Sequence, residues 1–199
     1  TAMKTKPINR PNSTILKSVS KPGRYAGGEY GGVIKDKSAV KARFAFCFPD
    51  TYEIGMSNLG VRLLYGALNE HPDIWCERVY DPWVDMQEQM RAHRLPLVAL
   101  ESKDPLDCFD FVGFTLQYEM SYTNVLNMLD LAGIPLCAEA RGEDDPLVIG
   151  GGPCAYNPEP VADFFDLFNI GEGENMLPDI VRLYIRMKEE GRYTRAEFL

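Results

Sequence analysis

Short apolar runs alternate with helical patterns from residue 40 onward, and this alternation restricts the fold more than any other feature. The runs are dense enough to be strands that are buried on both faces. The predicted strands are ARFAFCF (42–48), IWCERVY (74–80), FDFVGFTL (109–116), LVI (147–149) and DLFNI (166–170), with residues 97–100 as a further candidate. Strands that alternate with helices predict an α/β fold with a doubly wound, mostly parallel sheet and helices on both faces.

Capping residues predict where several helices begin and end. Asp81 followed by Pro82 is typical of an N-cap and a first helical residue. Gly133 is typical of the residue that ends a helix. Pro178 fits the last helix only if it lies in the first turn. Residues 49–58 are expected to form a loop.

Charge is distributed unevenly along the 199 residues, whose formal net charge is -8. The first 24 residues contain six Lys and Arg side chains and no acid, so the rest of the chain holds the whole negative excess. An acidic body repels phosphates and anionic lipid, which argues against nucleic acid or a membrane as its partner. The basic first segment could contact nucleic acid or dock on a partner. No apolar run approaches the roughly 20 residues of a membrane span.

The chain divides into an arm, a domain and a short terminal segment. Residues 1–40 are expected to form the arm, in which Ser13 could cap a short helix. The arm includes a glycine-rich connection over residues 23–32. A phosphate-binding glycine loop needs a strand before it and a helix after it, and this connection has neither. Residues 41–192 are expected to form the α/β domain.

The five cysteines are widely scattered and exclude several kinds of site. No CxxC pair or cysteine-rich cluster occurs, which argues against a zinc or iron–sulfur site within the chain. Scattered thiols in odd number are typical of reduced cysteines, so a cytoplasmic protein is expected. Ser57 lies in a Gly-x-Ser-x-x sequence, but Leu59 replaces the final glycine of a nucleophile elbow, which argues against a serine hydrolase.

The loops that follow the predicted strands are the candidate binding site, because ligands of doubly wound sheets lie beyond the carboxyl ends of the strands. These loops offer glycines, amides and hydroxyls but few cations. That favours a neutral, polar ligand over a free polyphosphate, and no GK[S/T] sequence is present. The glycine triplet 150–152 could admit a ligand or simply form a tight turn. Glu172 and Glu174 could act at the site or only compensate a helix dipole.

Several motifs occur in a fixed order and together carry a family resemblance. They are RYAGGEYGG (24–32), FPDTYEIGMSNLG (48–60), TLQYEMSYTNVLNMLDLAGIP (115–135), LVIGGGP (147–153), NPEPVADFFD (157–166) and IGEGE (170–174). Over residues 21–190 the chain resembles the N-terminal region of a subfamily of radical S-adenosylmethionine (SAM) proteins. More broadly, it resembles the cobalamin-binding-like domain that precedes the catalytic barrel in a large group of radical SAM proteins.

The resemblance implies a flavodoxin-like or cobalamin-binding-like three-layer sandwich, with a corrinoid at the strand ends. The cofactor-binding residues that it implies are Ser57, Asn58, Gly60, Thr115, Gln117, Gly150, Gly151, Gly152 and Pro153. The residues that it implies at an interface with the catalytic domain are Glu172, Gly173 and Glu174.

Two departures from the resembled family bear on function. The DxHxxG sequence that supplies a histidine ligand to cobalt is missing, since Gly55 stands at the Asp position and Ser57 at the His position. The CxxxCxxC sequence that holds the catalytic [4Fe–4S] cluster is also missing. The resemblance therefore implies that SAM and the cluster bind in a downstream domain, with residues 193–199 as the start of a linker to it. On that basis, this part of the protein is not expected to be catalytic alone.

Three hypotheses remain open at this point. The first is an accessory domain that shapes or covers a radical SAM active site and binds cobalamin weakly or not at all. The second is a cobalamin-binding domain, without a histidine ligand to cobalt, of a radical SAM methyltransferase or rearrangement enzyme. The third is a stand-alone module that binds a flavin or a nucleotide.

Overall fold

The computed structural model describes residues 11–199 and contains one five-stranded parallel sheet. The strands are β1 (Ala42–Phe48), β2 (Ile74–Tyr80), β3 (Phe111–Thr115), β4 (Leu147–Gly151) and β5 (Leu167–Phe168). Their order in the sheet is β2-β1-β3-β4-β5, and every neighbouring pair is parallel. This is the strand order of flavodoxin-like doubly wound folds, so the predicted fold class is confirmed.

Seven α-helices accompany the sheet in the described part of the chain. They are α1 (Ser13–Ser18), α2 (Tyr52–Ser57), α3 (Leu59–Asn69), α4 (Val84–His93), α5 (Tyr122–Ala132), α6 (Gly173–Glu189) and α7 (Arg195–Phe198). Short 3-10 turns occupy much of the remaining chain, including Pro153–Tyr156 directly after β4.

The sheet separates two apolar cores, one on each face. Alternate residues of β1 divide between them: Ala45 and Cys47 pack with α4 and α5, whereas Phe44 and Phe46 pack with α3 and α6. Because both faces are covered, all seven residues of β1 are buried. This double burial is the physical reason that ARFAFCF is a continuous apolar run rather than an alternating one.

Four local predictions were wrong. Residues 97–100 contribute only an isolated bridge from Val98 to Pro105 and no strand of the sheet. Most of the expected loop 49–58 is α2. Trp83 is the N-cap of α4 rather than Asp81. Pro178 is the sixth residue of α6, beyond its first turn.

The segment between residues 11 and 40 packs along β2, the edge strand, instead of extending into solvent. Asn12, not Ser13, caps α1 by accepting hydrogen bonds from Thr14 and Ile15. Further along the arm, Trp75 of β2 donates its indole N–H to the Val33 carbonyl at 3.0 Å. The predicted basic lead also includes Lys4, Lys6 and Arg10, which lie outside the described residues.

The outward backbone groups of β2 are hydrogen bonded by groups from outside the sheet. The Asn69 side-chain amide bonds both the N–H and the carbonyl of Cys76. The Arg78 backbone N–H donates to the Glu101 carboxylate at 2.8 Å, and the Arg78 carbonyl accepts from the Leu100 N–H. The Lys35 ammonium group donates to the carbonyl of Ile74 and to those of Asn69 and His71. The edge of the sheet is therefore saturated over most of β2.

The terminal segment 193–199 is anchored by a buried arginine. The Arg195 guanidinium lies 2.7 Å from Asp166 and donates to the carbonyls of Gly142, Asp145 and Pro146. Asp166 also pairs with the buried Arg141 at 3.0 Å. The Asp166 carboxylate, directly before β5, therefore contacts both Arg195 of the terminal segment and the buried Arg141.

None of the helices formed by residues 11–199 combines the length and apolarity that crossing a bilayer requires.

Candidate functional site

The sheet order places the topological switch point between β1 and β3, because the chain moves outward from β1 to β2 and then returns to the other side. In doubly wound folds the ligand crevice opens at this point, beyond the carboxyl ends of the strands. The residues there follow Phe48 of β1 and Thr115 of β3.

A polar network joins the loops at this point. Asp50 follows β1 and accepts a hydrogen bond from the Tyr118 hydroxyl, which follows β3, at 2.9 Å. Asn124 of α5 donates to the Pro49 carbonyl at 2.9 Å. Asn127, one turn later, donates to the Asp81 carboxylate at 2.9 Å. Three strand ends and one helix are therefore held together by hydrogen bonds of polar side chains.

Asp81 is the titratable centre of this network. Burial raises the pKa of its carboxyl group to about 6, against the stabilising hydrogen bond from Asn127, and the nearby Asp50 adds to the increase. Its backbone N–H donates to the Asp50 carbonyl. Because its carboxylate accepts a hydrogen bond from Asn127 of α5, Asp81 does not serve as the N-cap of α4 that the sequence suggested. A carboxyl group with this pKa can exchange a proton near neutral pH.

The residues predicted after β1 lie on a helical surface. Ser57 is the last residue of α2, and its hydroxyl donates to the Ile54 carbonyl at 2.9 Å. Asn58 caps α3 by accepting from the Val61 N–H. Gly60 lies beside that cap. The local helix geometry thus accounts for the polar groups of Ser57 and Asn58.

The residues predicted after β3 and β4 come together at the strand ends. Gln117 donates to the Thr115 hydroxyl at 2.5 Å. Gly152 has φ +91, and a Cβ atom there would lie 3.0 Å from the Leu116 carbonyl. A Cβ atom at Gly150 would lie 2.7 Å from the Phe168 ring. Two of the three glycines therefore have a packing reason within the chain itself, and Pro153 begins the following turn.

Gly151 differs from its neighbours because its Cβ position has only ordinary contacts with Asn169, at 3.7 Å or more. Asn169 follows β5 and is 5% exposed. Its side-chain oxygen is buried without a hydrogen-bond partner in residues 11–199. A buried acceptor of this kind normally has a donor. Of the three glycines, Gly151 alone therefore has no close contact that excludes a side chain, and it lies beside Asn169.

The predicted interface turn begins α6. Glu172 is its N-cap residue without a side-chain cap bond, and both Glu172 and Glu174 are exposed. Gly173 is buried against Leu64 of α3, where a Cβ atom would approach to 3.0 Å. The two carboxylates therefore face solvent at the positive end of the helix dipole, while the glycine allows α6 to contact α3.

Large apolar side chains are exposed after all five strands, including Trp83 and Val84 after β2. Leu59 follows β1, Met120 follows β3, Tyr156 follows β4 and Ile170 follows β5, with exposures of 65%, 85%, 73% and 50%. We call these four residues the carboxyl-edge surface. Exposed apolar groups at the ligand-binding edge of a sheet are typical of a docking surface.

Within residues 11–199, no three His, Cys, Asp or Glu side chains come together in a way that could hold a metal ion. The sequence analysis did not identify Asp81, Asn124, Asn127 or Asn169 as site residues. The spacing of Asn124 and Asn127 by three residues in an otherwise apolar helix was the available signal, because it places both on one face.

Comparisons with known proteins identify a family for the chain. Residues 60–199 match the family described as the N-terminal region of radical SAM proteins. The chain is 28% identical over 132 residues to an uncharacterized protein of Methanocaldococcus jannaschii, MJ0966. That alignment covers 65% of this chain and 24% of the relative, so the chain matches about a quarter of that protein's length. No solved structure matches the chain. Because the family match extends over more than half of the sequence, the chain belongs to the family of N-terminal regions of radical SAM proteins.

Proposed function

We propose that this chain is the accessory domain of a radical SAM iron–sulfur protein. It docks through the carboxyl-edge surface on the downstream radical SAM domain of the same protein and shapes or covers its active site. In this proposal, SAM and the [4Fe–4S] cluster are bound by the downstream domain. The exposure of Leu59, Met120, Tyr156 and Ile170 at the ligand-binding edge is the observation that carries the proposal.

The occupant of this surface is proposed to be a covalently linked domain for two reasons. The family is defined as the N-terminal part of radical SAM proteins, and the aligned relative is about four times as long as the matched segment. Exposed acidic residues lie within four positions of three of these apolar residues in the sequence: Glu119 by Met120, Glu159 by Tyr156, and Glu172 and Glu174 by Ile170. An apolar centre with a charged rim is the usual composition of an interface.

A photo-crosslinking experiment on the intact protein tests the docking. Tyr156→p-benzoylphenylalanine places the reactive group on the carboxyl-edge surface, and we expect crosslinked peptides from the radical SAM domain. Leu136→p-benzoylphenylalanine is the control, since Leu136 follows α5 near the opposite edge of the sheet and is 37% exposed. Equal crosslinking from both positions, or none from Tyr156, would contradict the proposal.

Cobalamin is proposed to bind weakly or not at all. The position of the cobalt ligand is occupied by Ser57, whose hydroxyl is used within α2. Phe168 and Leu116 already fill the space next to Gly150 and Gly152.

The unpartnered Asn169 oxygen beside Gly151 favours a second candidate, a domain that binds cobalamin without a protein ligand to cobalt. Such a domain would belong to a methyltransferase or a rearrangement enzyme. The corrin side chains carry amide groups that could donate to this oxygen. Titration of the intact protein with hydroxocobalamin, followed by its visible spectrum, separates the two candidates. Tight binding that Gly151→Ala abolishes and Gly142→Ala preserves supports the second.

The same spectrum of the purified protein tests the flavin alternative, since a flavin would add its yellow absorption.

A further inference from the structure

A cavity of about 220 Å³ lies between the arm and the edge strand and reaches the carboxyl end of β2, where Asp81 lines it. Its apolar wall is formed by Val79 of β2, Met86 and Met90 of α4, and Leu97. Leu16 of α1 covers it from the arm side. The volume corresponds to roughly seven water molecules, which suits a single or fused ring. None of the residues that the sequence predicted for the site lines this cavity.

The lining of the cavity includes cationic side chains. Arg24, Arg78 and Lys103 line the cavity, and Asp81 is the acidic residue among the lining groups. Arg78 is paired with the buried Glu101 carboxylate at 2.7 Å, so Arg24 and Lys103 are the lining cations that bear on the choice of ligand. Arg24 pairs with Glu53, and Lys103 donates to the Tyr25 carbonyl. Cations at the boundary of an apolar cavity favour a ligand that has an apolar body and an anionic group.

Aromatic and thioether groups add a preference for a flat ligand. Tyr25, Tyr52 and Tyr80 line the cavity together with the two methionines. Rings stack or pack edge-on against other rings, and methionine sulfur contacts aromatic groups favourably. An aromatic body therefore fits this lining better than an aliphatic chain of the same volume.

The arm is held over the cavity by contacts that can open. Ser20 donates to Asp85, and the exposed Lys21 and the half-buried Arg24 share the carboxylate of Glu53. Exposed ion pairs of this kind contribute little to stability. Ile15 and Val19 of α1 are buried in the core, so the contacts that can open to admit a ligand are those of residues 20–24.

We propose that the cavity between the arm and β2 binds a small aromatic monocarboxylate. The ring lies between Val79, Met86, Met90 and Leu97, and the carboxylate lies towards Arg24 and Lys103. This site is separate from the carboxyl-edge surface and does not depend on the docking proposed above.

Binding of 2-naphthoate to the intact protein, measured by its fluorescence, tests the proposal. We expect saturable binding, and at least about tenfold weaker binding of the neutral 2-naphthamide because the charge interaction is lost. Arg24→Gln is expected to weaken naphthoate binding about five- to tenfold, whereas Lys17→Gln, an exposed change outside the cavity, leaves it unchanged.

A variant that fills the cavity locates the site. Leu16→Trp is expected to abolish naphthoate binding, and Leu183→Trp on the exposed side of α6 is the matched control. Circular dichroism and the Tm establish that each variant is folded. If Leu16→Trp does not fold, protection of α4 and residues 96–100 from hydrogen exchange by naphthoate in the wild type replaces it. No naphthoate binding, equal binding of the amide, or insensitivity to both cavity variants would overturn the proposal.

Discussion

At the scale of single residues, the raised pKa of Asp81 predicts how the stability of the protein depends on pH. This pKa in the folded protein is raised to about 6 from the ordinary 3.8. Between these values the native state binds more protons than the unfolded chain, so the free energy of unfolding decreases as pH rises through this range. Asp81→Asn removes this titration and keeps a side-chain oxygen that accepts the hydrogen bond from Asn127. We expect the variant to gain about 2 kcal/mol relative to wild type between pH 4.5 and pH 7.5.

Urea denaturation of both proteins at the two pH values measures this difference. Asp130→Asn, the same change at an exposed carboxylate of α5, is the control. Parallel stability curves for the wild type and Asp81→Asn would show that the Asp81 carboxyl group is not perturbed in solution.

At the scale of elements, variants of the glycine triplet at the end of β4 distinguish a glycine that packing requires from one that packing does not require. Gly150→Ala places a methyl group 2.7 Å from the Phe168 ring, and we expect a loss of about 1–3 kcal/mol in the free energy of unfolding. Phe168→Leu should recover part of this loss in the double variant, because the two residues are in contact. Gly151→Ala meets only ordinary contacts and should cost less than about 0.5 kcal/mol.

Thermal and urea denaturation of the four variants, including the double variant, measure these costs. A Gly150→Ala protein as stable as the wild type would remove the packing explanation for Gly150 and return that glycine to a binding role.

The elements also show what could be predicted from sequence. β1 and β2 were predicted to the residue, because burial on both faces leaves dense apolar runs. α2 was missed because its six residues include Gly55, a poor helix former, which is needed where the Tyr80 ring would lie 2.3 Å from a Cβ atom. The apolar residues 97–100 resemble a strand but instead line the cavity beside β2.

The polar site could not be predicted in the same way. The Asp50–Tyr118 contact joins residues 68 positions apart, and the Asp81–Asn127 contact joins residues 46 apart. Such pairs depend on the strand order, which local patterns do not contain. The carboxyl-edge loops could nonetheless be chosen as the candidate region from sequence, since the doubly wound fold alone determines that edge.

At the scale of the whole molecule, the saturated edge of β2 affects how copies of the protein meet. An exposed edge strand can pair with a strand of another molecule and begin aggregation. Here Asn69, Glu101 and Lys35 bond the outward groups of β2, and at the other edge β5 has only two residues.

Asn69→Leu frees the Cys76 N–H and carbonyl, and we expect a loss of about 2 kcal/mol and concentration-dependent self-association, measured by light scattering. Glu70→Gln is the neighbouring exposed control, and a monodisperse Asn69→Leu protein would contradict the expectation. A side chain that is distant from the proposed docking surface thereby keeps the domain from polymerising through its own sheet.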